Sequence, residues 1–280
     1  MFIKKSLGLF IIPIRFKNLD KYPFEYLSFC KEADKNGFHE IYVGEHLTDF
    51  REDICSSLLF CSYLSSNTKN ILLCPSVLPL PHYNIKLLTK QFIELARISN
   101  YRVKLGIGPG ALNTDLEYLG INPINRYAIY DQSVDELLKT LSKDWPKDKN
   151  LSIFSTVLGV NPKKINLLRD KQITFLTSNF CHPKWHKNHI KNYGLNSFKE
   201  ATGNGWKVCI NYLPINVKSE TEEIFLQTFK YIESKLNKNA SMIMKGEDFE
   251  TESKNLKDFN DLIFKGSPKD LIAYIKNSQF

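Results

Sequence analysis

The chain has 280 residues, 42% of them hydrophobic and 24% charged, with a formal net charge of +8. That is enough apolar material for a sizeable core, which excludes a disordered chain, and the length suits a single large domain over residues 1–280. The lysines are scattered, in pairs such as Lys4–Lys5 and Lys163–Lys164, and no aromatic platform interleaves with them, so they read as solvated surface and no nucleic-acid partner is expected.

Six cysteines (Cys30, Cys55, Cys61, Cys74, Cys181 and Cys209) have irregular spacing and no CxxC pair. They read as free thiols in a reducing compartment, so a cytoplasmic location is expected. Residues 1–14 start with lysines and an apolar run, as a secretory leader does. Pro13 and Arg15 interrupt that run and no small-residue cleavage site follows, so it reads as a first strand. No apolar stretch is long enough for a membrane span.

In chain order, residues 7–12 form a continuous apolar run, the pattern of a buried parallel strand. Phe24, Leu27, Phe29, Cys30 and Ala33 follow a helical period over residues 23–36, and Asn36–Gly37 ends it. Residues 39–43 are strand, residues 53–65 helix with Asp53 as a cap, residues 71–77 strand, residues 86–98 helix and residues 102–107 strand. Thr114-Asp115-Leu116-Glu117 has the spacing of a capping box opening a short helix, and residues 125–141 form a longer helix. Such alternation predicts a parallel sheet built from right-handed crossovers. The rest is less regular: a polar stretch at 142–150 with Trp145–Pro146, an extended segment at 152–160, strands at 172–177 and 208–213, helices at 183–193 and 219–236, a polar loop at 237–258 and a last helix after Gly266-Ser267-Pro268.

Sites in parallel α/β folds form beyond the carboxyl ends of the strands. There stands Glu45–His46, where a histidine can serve as general acid or base, or can equally be a satisfied structural residue. Gly106-Ile107-Gly108-Pro109-Gly110 follows another strand. Its glycines would let backbone approach a phosphate or a flat ring, or would simply make a tight turn. Arg126, at the start of the next helix, could bind a phosphate or lie on the surface. Cys181, His182, His186 and His189 lack an acidic companion and sit among lysines, so they read as a solvated helix face and no metal is expected.

Taken in order, these motifs resemble the luciferase-like flavin monooxygenase family. Gly37-Phe38-His39-Glu40-Ile41-Tyr42-Val43-Gly44-Glu45-His46-Leu47 is similar to its second strand, and Pro75-Ser76-Val77-Leu78-Pro79-Leu80-Pro81-His82 to the end of its third. Residues 105–110 resemble its flavin-side glycine loop, and Arg126 the arginine near the flavin phosphate. Residues 175–179 and Gly266-Ser267-Pro268-Lys269-Asp270 carry the likeness further along the chain. There are departures: Leu47 replaces a second histidine of the luciferases, Pro109 an arginine, Ala96 an aspartate and Asn100–Tyr101 a glycine-containing pair.

The resemblance implies a TIM-barrel-like (β/α)8 fold, incomplete at the C-terminus because the family's last strand and helix are not matched. It implies reduced, diffusible FMN as cofactor, with F420 as the alternative. The reaction would insert oxygen from dioxygen into a small organic substrate such as an aldehyde. It implies His46 as the catalytic group. Glu45, Ser76, Val77, Gly108, Pro109, Gly110, Ala111 and Leu112 would lie around the flavin, with the Ser76–Val77 peptide cis, and Arg126, Ser178 and Asn179 would hold its phosphate. A flavin reductase would supply the cofactor, and the protein would form a homo- or heterodimer. The shortened end and Leu47 leave a second reading, a non-catalytic flavin-binding or partner subunit.

Overall fold

The computed structural model describes residues 6–11, 24–48, 54–156, 171, 173–176 and 207–212. Strands and helices alternate through most of it: β1 (Ser6–Ile11), α1 (Phe24–Lys35), β2 (Glu40–Val43), α2 (Ser57–Ser65), β3 (Leu72–Pro75) and β4 (Leu78–Pro79). A 3₁₀ turn, Leu80–His82, leads into α3 (Ile85–Ile98), followed by β5 (Leu105–Gly108), α4 (Asn113–Tyr118), a second 3₁₀ turn at Pro123–Asn125 and α5 (Arg126–Asp144). Three strands close the list of described elements: β6 (Ile153–Thr156), β7 (Thr174–Leu176) and β8 (Lys207–Tyr212).

Among the described residues, all strand pairs are parallel and fall into two runs, β3-β2-β1-β8 and β4-β5-β6-β7. A bridge between Leu73 and Val103 joins the runs, with the Leu73 amide donating to the Arg102 carbonyl and the Lys104 amide to the Leu73 carbonyl. β3 and β4 therefore share one strand position, which passes from β2 to β5 as neighbour across Ser76–Val77, a cis peptide as the resemblance implied. The result is a curved α/β arc of barrel type. Among the described residues, β8 covers the outer edge of β1 in full register from Ser6↔Lys207 to Ile11↔Tyr212, and with β3 and β4 sharing a position the described strands fill seven places of the barrel.

Every residue of β2 and of β5 is buried, as expected of parallel strands covered on both faces. Leu88, Phe92 and Leu95 of α3 share the core with Tyr130, Val134 and Leu137 of α5. The polar stretch after α5 is anchored rather than loose. Trp145 stacks on Phe92 at 5.9 Å, meets Tyr101 edge-on at 5.7 Å and donates its indole N–H to the Lys149 carbonyl.

Local chemistry fixes the ends of these elements, in two places differently from the sequence expectation. α2 begins at Ser57 and its cap is Ser56, not Asp53, because the Ser56 hydroxyl accepts from the Leu59 amide. Thr114 is not a cap either. α4 starts one residue earlier, after Leu112, and the acid of its first turn, Asp115, is turned to another purpose. At the opposite end of the sheet, Asp34 accepts from the amides of Lys69, Asn70 and Ile71. Beside it the Arg102 guanidinium donates to the carbonyls of Ser65, Thr68 and Ile71, pinning the turn between α2 and β3.

Candidate active site

Beyond β2 the chain carries Glu45 and His46 into different surroundings. Both Glu45 oxygens are engaged: one accepts from the Ser57 amide and hydroxyl at 2.8 Å each, the other from the Tyr83 hydroxyl. Burial pushes this carboxyl's pKa up, against those hydrogen bonds. Glu45 thus ties the first turn of α2 to the segment that follows the Leu80–His82 turn, where a carboxylate also meets the positive end of the helix.

His46 faces a different acid. Its Nδ1 lies 3.1 Å from Asp115 Oδ2, while Asp115 Oδ1 accepts from the Thr48 amide at 2.8 Å, the Thr48 hydroxyl at 2.6 Å and the Leu47 amide at 3.2 Å. The Asp115 side chain is 1% exposed and that of His46 18%. Burial alone would raise the Asp115 pKa. The hydrogen bonds from His46 and Thr48 outweigh it and hold the group down to about 2. A carboxylate only accepts, so the hydrogen between the two residues sits on His46 Nδ1, which fixes the ring's tautomer and leaves Nε2 as the nitrogen that can exchange a proton. The sequence reading missed Asp115 by absorbing it into a capping box. The available signal was an acid in the first turn of a helix that directly follows a strand-end glycine loop.

Three buried side-chain polar atoms lack a hydrogen-bond partner among the described residues: Ser76 Oγ, His82 Nε2 and Arg126 Nε. All three lie at or beyond the carboxyl ends of the strands or at the start of α5. Arg126 is not the surface arginine that the sequence left open. It is 4% exposed, and one guanidinium nitrogen donates to Asn113 Oδ1 at 2.6 Å. His46, His82, Asp115 and Arg126 are near enough to act on one another's charge.

The glycine segment packs closely here. A Cβ on Gly106 would stand 2.6 Å from the Phe154 ring and 2.9 Å from both the Pro75 carbonyl and the Ser76 Cα, so this position has no room for a side chain. Gly108 and Leu112 are buried, Val77, Pro109 and Gly110 half-buried, and Ala111 exposed. Ser178, Asn179 and the Cys181–His189 histidine cluster lie outside the described residues. Among the described residues no group of three potential metal ligands comes together. Of the four described cysteines, Cys30, Cys61 and Cys74 are buried and Cys55 is exposed. Within the same residues, no helix is long and apolar enough to cross a membrane. A groove outside the barrel between α3 and α5 is crossed by the ion pairs Lys86–Glu136 and Lys90–Asp144 and lies apart from these groups.

Comparison with known proteins bears on this arrangement. The profile of the family described as luciferase-like monooxygenase matches residues 18–149. The 4-hydroxyprotoasukamycin monooxygenase of Streptomyces nodosus subsp. asukaensis is 28% identical over 120 residues, which are 43% of this chain and 32% of that protein. The limonene 1,2-monooxygenase of Rhodococcus erythropolis is 29% identical over 116 residues, 41% of this chain and 30% of the other. The chain therefore spans about a third of the length of the curated relatives it matches.

Among solved structures, the monooxygenase RslO1 from Streptomyces bottropensis aligns with 97% of this chain and 88% of its own, at TM-score 0.70 and 16% identity. The oxygenating constituent of 3,6-diketocamphane monooxygenase from Pseudomonas putida, in complex with FMN, aligns with 69% of this chain and 64% of its own at TM-score 0.56 and 19% identity. An F420-dependent secondary alcohol dehydrogenase aligns with 74% of this chain and 68% of its own at TM-score 0.53 and 16% identity. These likenesses show the fold, which is of TIM-barrel type. Over residues 18–149, where the His46–Asp115 pair and the glycine segment lie, the chain is similar to the luciferase-like monooxygenase family.

Proposed function

We propose that the chain is a flavin-dependent oxidoreductase, a monooxygenase that uses reduced FMN and dioxygen on a small organic substrate such as an aldehyde. The observation that carries this reading is the carboxylate-held histidine His46 beside a set of buried polar atoms with no partner among the described residues. Such atoms are costly to leave unpaired and are explained by a ligand that pairs them. Gly106, with no space for a Cβ, lets β5 pack directly against the Pro75–Ser76 backbone that would flank the ring. The donor set therefore fits a flavin.

When bound, reduced flavin supplies the electrons that activate dioxygen. The chain's own residues do the rest. His46 gives or takes a proton at Nε2, with Asp115 holding the ring. Ser76, Val77 and Gly108 to Leu112 flank the ring system, and Glu45 acts one step back, fixing Tyr83 and α2. Arg126, together with Ser178 and Asn179, holds the phosphate, the guanidinium being buried and only partly paired. A flavin reductase would deliver the reduced cofactor, and the protein would work as a dimer in the cytoplasm. F420 is the second reading, motivated by the dehydrogenase of the same fold.

The test is titration of the purified chain with FMN and with F420, followed by oxygen uptake under a supply of reduced flavin with a panel of aldehydes and ketones. Micromolar binding of FMN with substrate-dependent uptake is expected. Failure to bind either cofactor would sink the reading. Binding without turnover on any substrate would favour a non-catalytic partner subunit.

A further inference from the structure

We propose that His82 is a ligand-binding residue of this site, a neutral imidazole whose Nε2 hydrogen-bonds the bound flavin; this rests on the flavin reading above. His82 ends the 3₁₀ turn Leu80–His82, directly beyond β4, and closes a sequence motif in which it was given no role. Its Nε2 is buried without a partner among the described residues. A purely structural histidine would have both ring nitrogens paired or one in solvent.

The wall against this nitrogen is the glycine segment. Gly110 has a φ of 82°, a left-handed conformation that favours glycine. A Cβ added there would stand 3.3 Å from His82 Nε2 and 3.4 Å from the Pro79 Cβ. Gly110 thus lets the loop settle on the imidazole edge without covering its nitrogen with carbon. The loop that the family resemblance places beside the flavin and the unpaired nitrogen are neighbours.

The charges around the ring support the same assignment. Burial acts most strongly and pushes the His82 pKa down to about 4. Asp115 opposes this, while His46 and Arg126 act with burial. At neutral pH the ring therefore has one N–H and one lone pair and can pair with a ligand without adding charge. The two histidines are thus set apart by their neighbours. His46 is held by a carboxylate at 3.1 Å, and His82 has no partner at its buried nitrogen among the described residues.

The test uses the full chain. FMN affinity is measured by quenching of flavin fluorescence for the wild type, His82→Leu and His82→Gln, with thermal midpoints alongside. In His82→Leu, which removes the nitrogen, FMN binding is expected to weaken about 10-fold or more with the thermal midpoint kept or raised, since an unpaired polar atom has been removed. His82→Gln places an amide nitrogen near Nε2 and is expected to stay within about 3-fold of wild type. In parallel, nitrogen-15 spectra of labelled histidines in the flavin-free protein should show His82 neutral at pH 5.5, and its Nε2 signal should move when FMN is added. Wild-type affinity in His82→Leu, an unmoved Nε2 signal on FMN binding, or a ring that protonates near pH 6.5 each overturn the assignment and leave the flavin reading standing. Absence of FMN and F420 binding in the wild type removes the flavin reading itself, and the His82 assignment with it.

Discussion

Asp115, in the first turn of α4, reaches a histidine 69 positions earlier in the chain and holds His46 Nδ1 at 3.1 Å. The same carboxylate takes three hydrogen bonds from Leu47 and Thr48, so it fixes both the ring and the loop that carries it. In Asp115→Asn the amide oxygen can still serve Thr48, but an N–H₂ group would face Nδ1 and demand the other tautomer. Turnover is expected to fall about 100-fold, the range for losing a positioned acid or base, with FMN affinity nearly unchanged. Oxygen uptake beside an FMN titration checks this; unchanged turnover would remove His46 from the chemistry.

The same group predicts an acid limit. Asp115 is held at about 2 against an ordinary 3.8, so its folded-state pKa is depressed. A depressed acid stabilises the fold fully above its unfolded pKa, and that contribution disappears as pH falls from about 4 towards 2. Thermal midpoints at pH 5, 4 and 3 should fall more steeply for wild type than for Asp115→Asn. Parallel slopes would contradict the assignment.

Glu45 separates pairing from charge. Glu45→Ala leaves the Ser57 amide and the Tyr83 hydroxyl without their buried acceptor and is expected to cost about 2–4 kcal/mol. Glu45→Gln keeps an acceptor for Ser57 and removes a charge that burial disfavours, so it is expected to stay within about 1 kcal/mol of wild type. Chemical denaturation of the two variants checks the order, and equal losses would refute it.

Gly106→Ala forces a methyl group against backbone on one side and the Phe154 ring on the other. A loss of about 1–3 kcal/mol is expected from overpacking, with weaker FMN binding because the Pro75–Ser76 backbone must shift. Denaturation and FMN titration together test it. A stable variant with native affinity would mean that the site tolerates a wider β3–β5 spacing.

The sequence carried most of the element order in the first half, because buried parallel strands and amphipathic helices have different periods. β2, α3 and α5 fall within a few residues of their expected bounds. Helix starts were less legible: Ser56 lies three residues after the expected cap Asp53, and the capping-box spacing at Thr114 concealed a buried carboxylate that serves another strand. His46 and Arg126 stood out as strand-end and helix-start residues, but sequence could not say that Arg126 is buried, or that Glu45 engages α2 and Tyr83 while its neighbour pairs with Asp115. Those partnerships join residues from 12 to 69 positions apart, and only the curvature of the sheet brings them together. His82 was quoted within a motif and given no role, because an unpaired nitrogen leaves no trace in spacing.

The pairing of β1 with β8 has a consequence for synthesis. Ser6 must wait for Lys207, roughly 200 residues later, while β2, β3 and β5 find their neighbours over much shorter stretches. Ordering so distant a pair carries a larger loop-closure cost, so this seam is expected to form late. Until Lys207 leaves the ribosome, a nascent chain holds a complete first strand with one unsatisfied edge, open to any other strand in reach. Chaperone dependence should therefore concentrate in that interval and end when β8 docks.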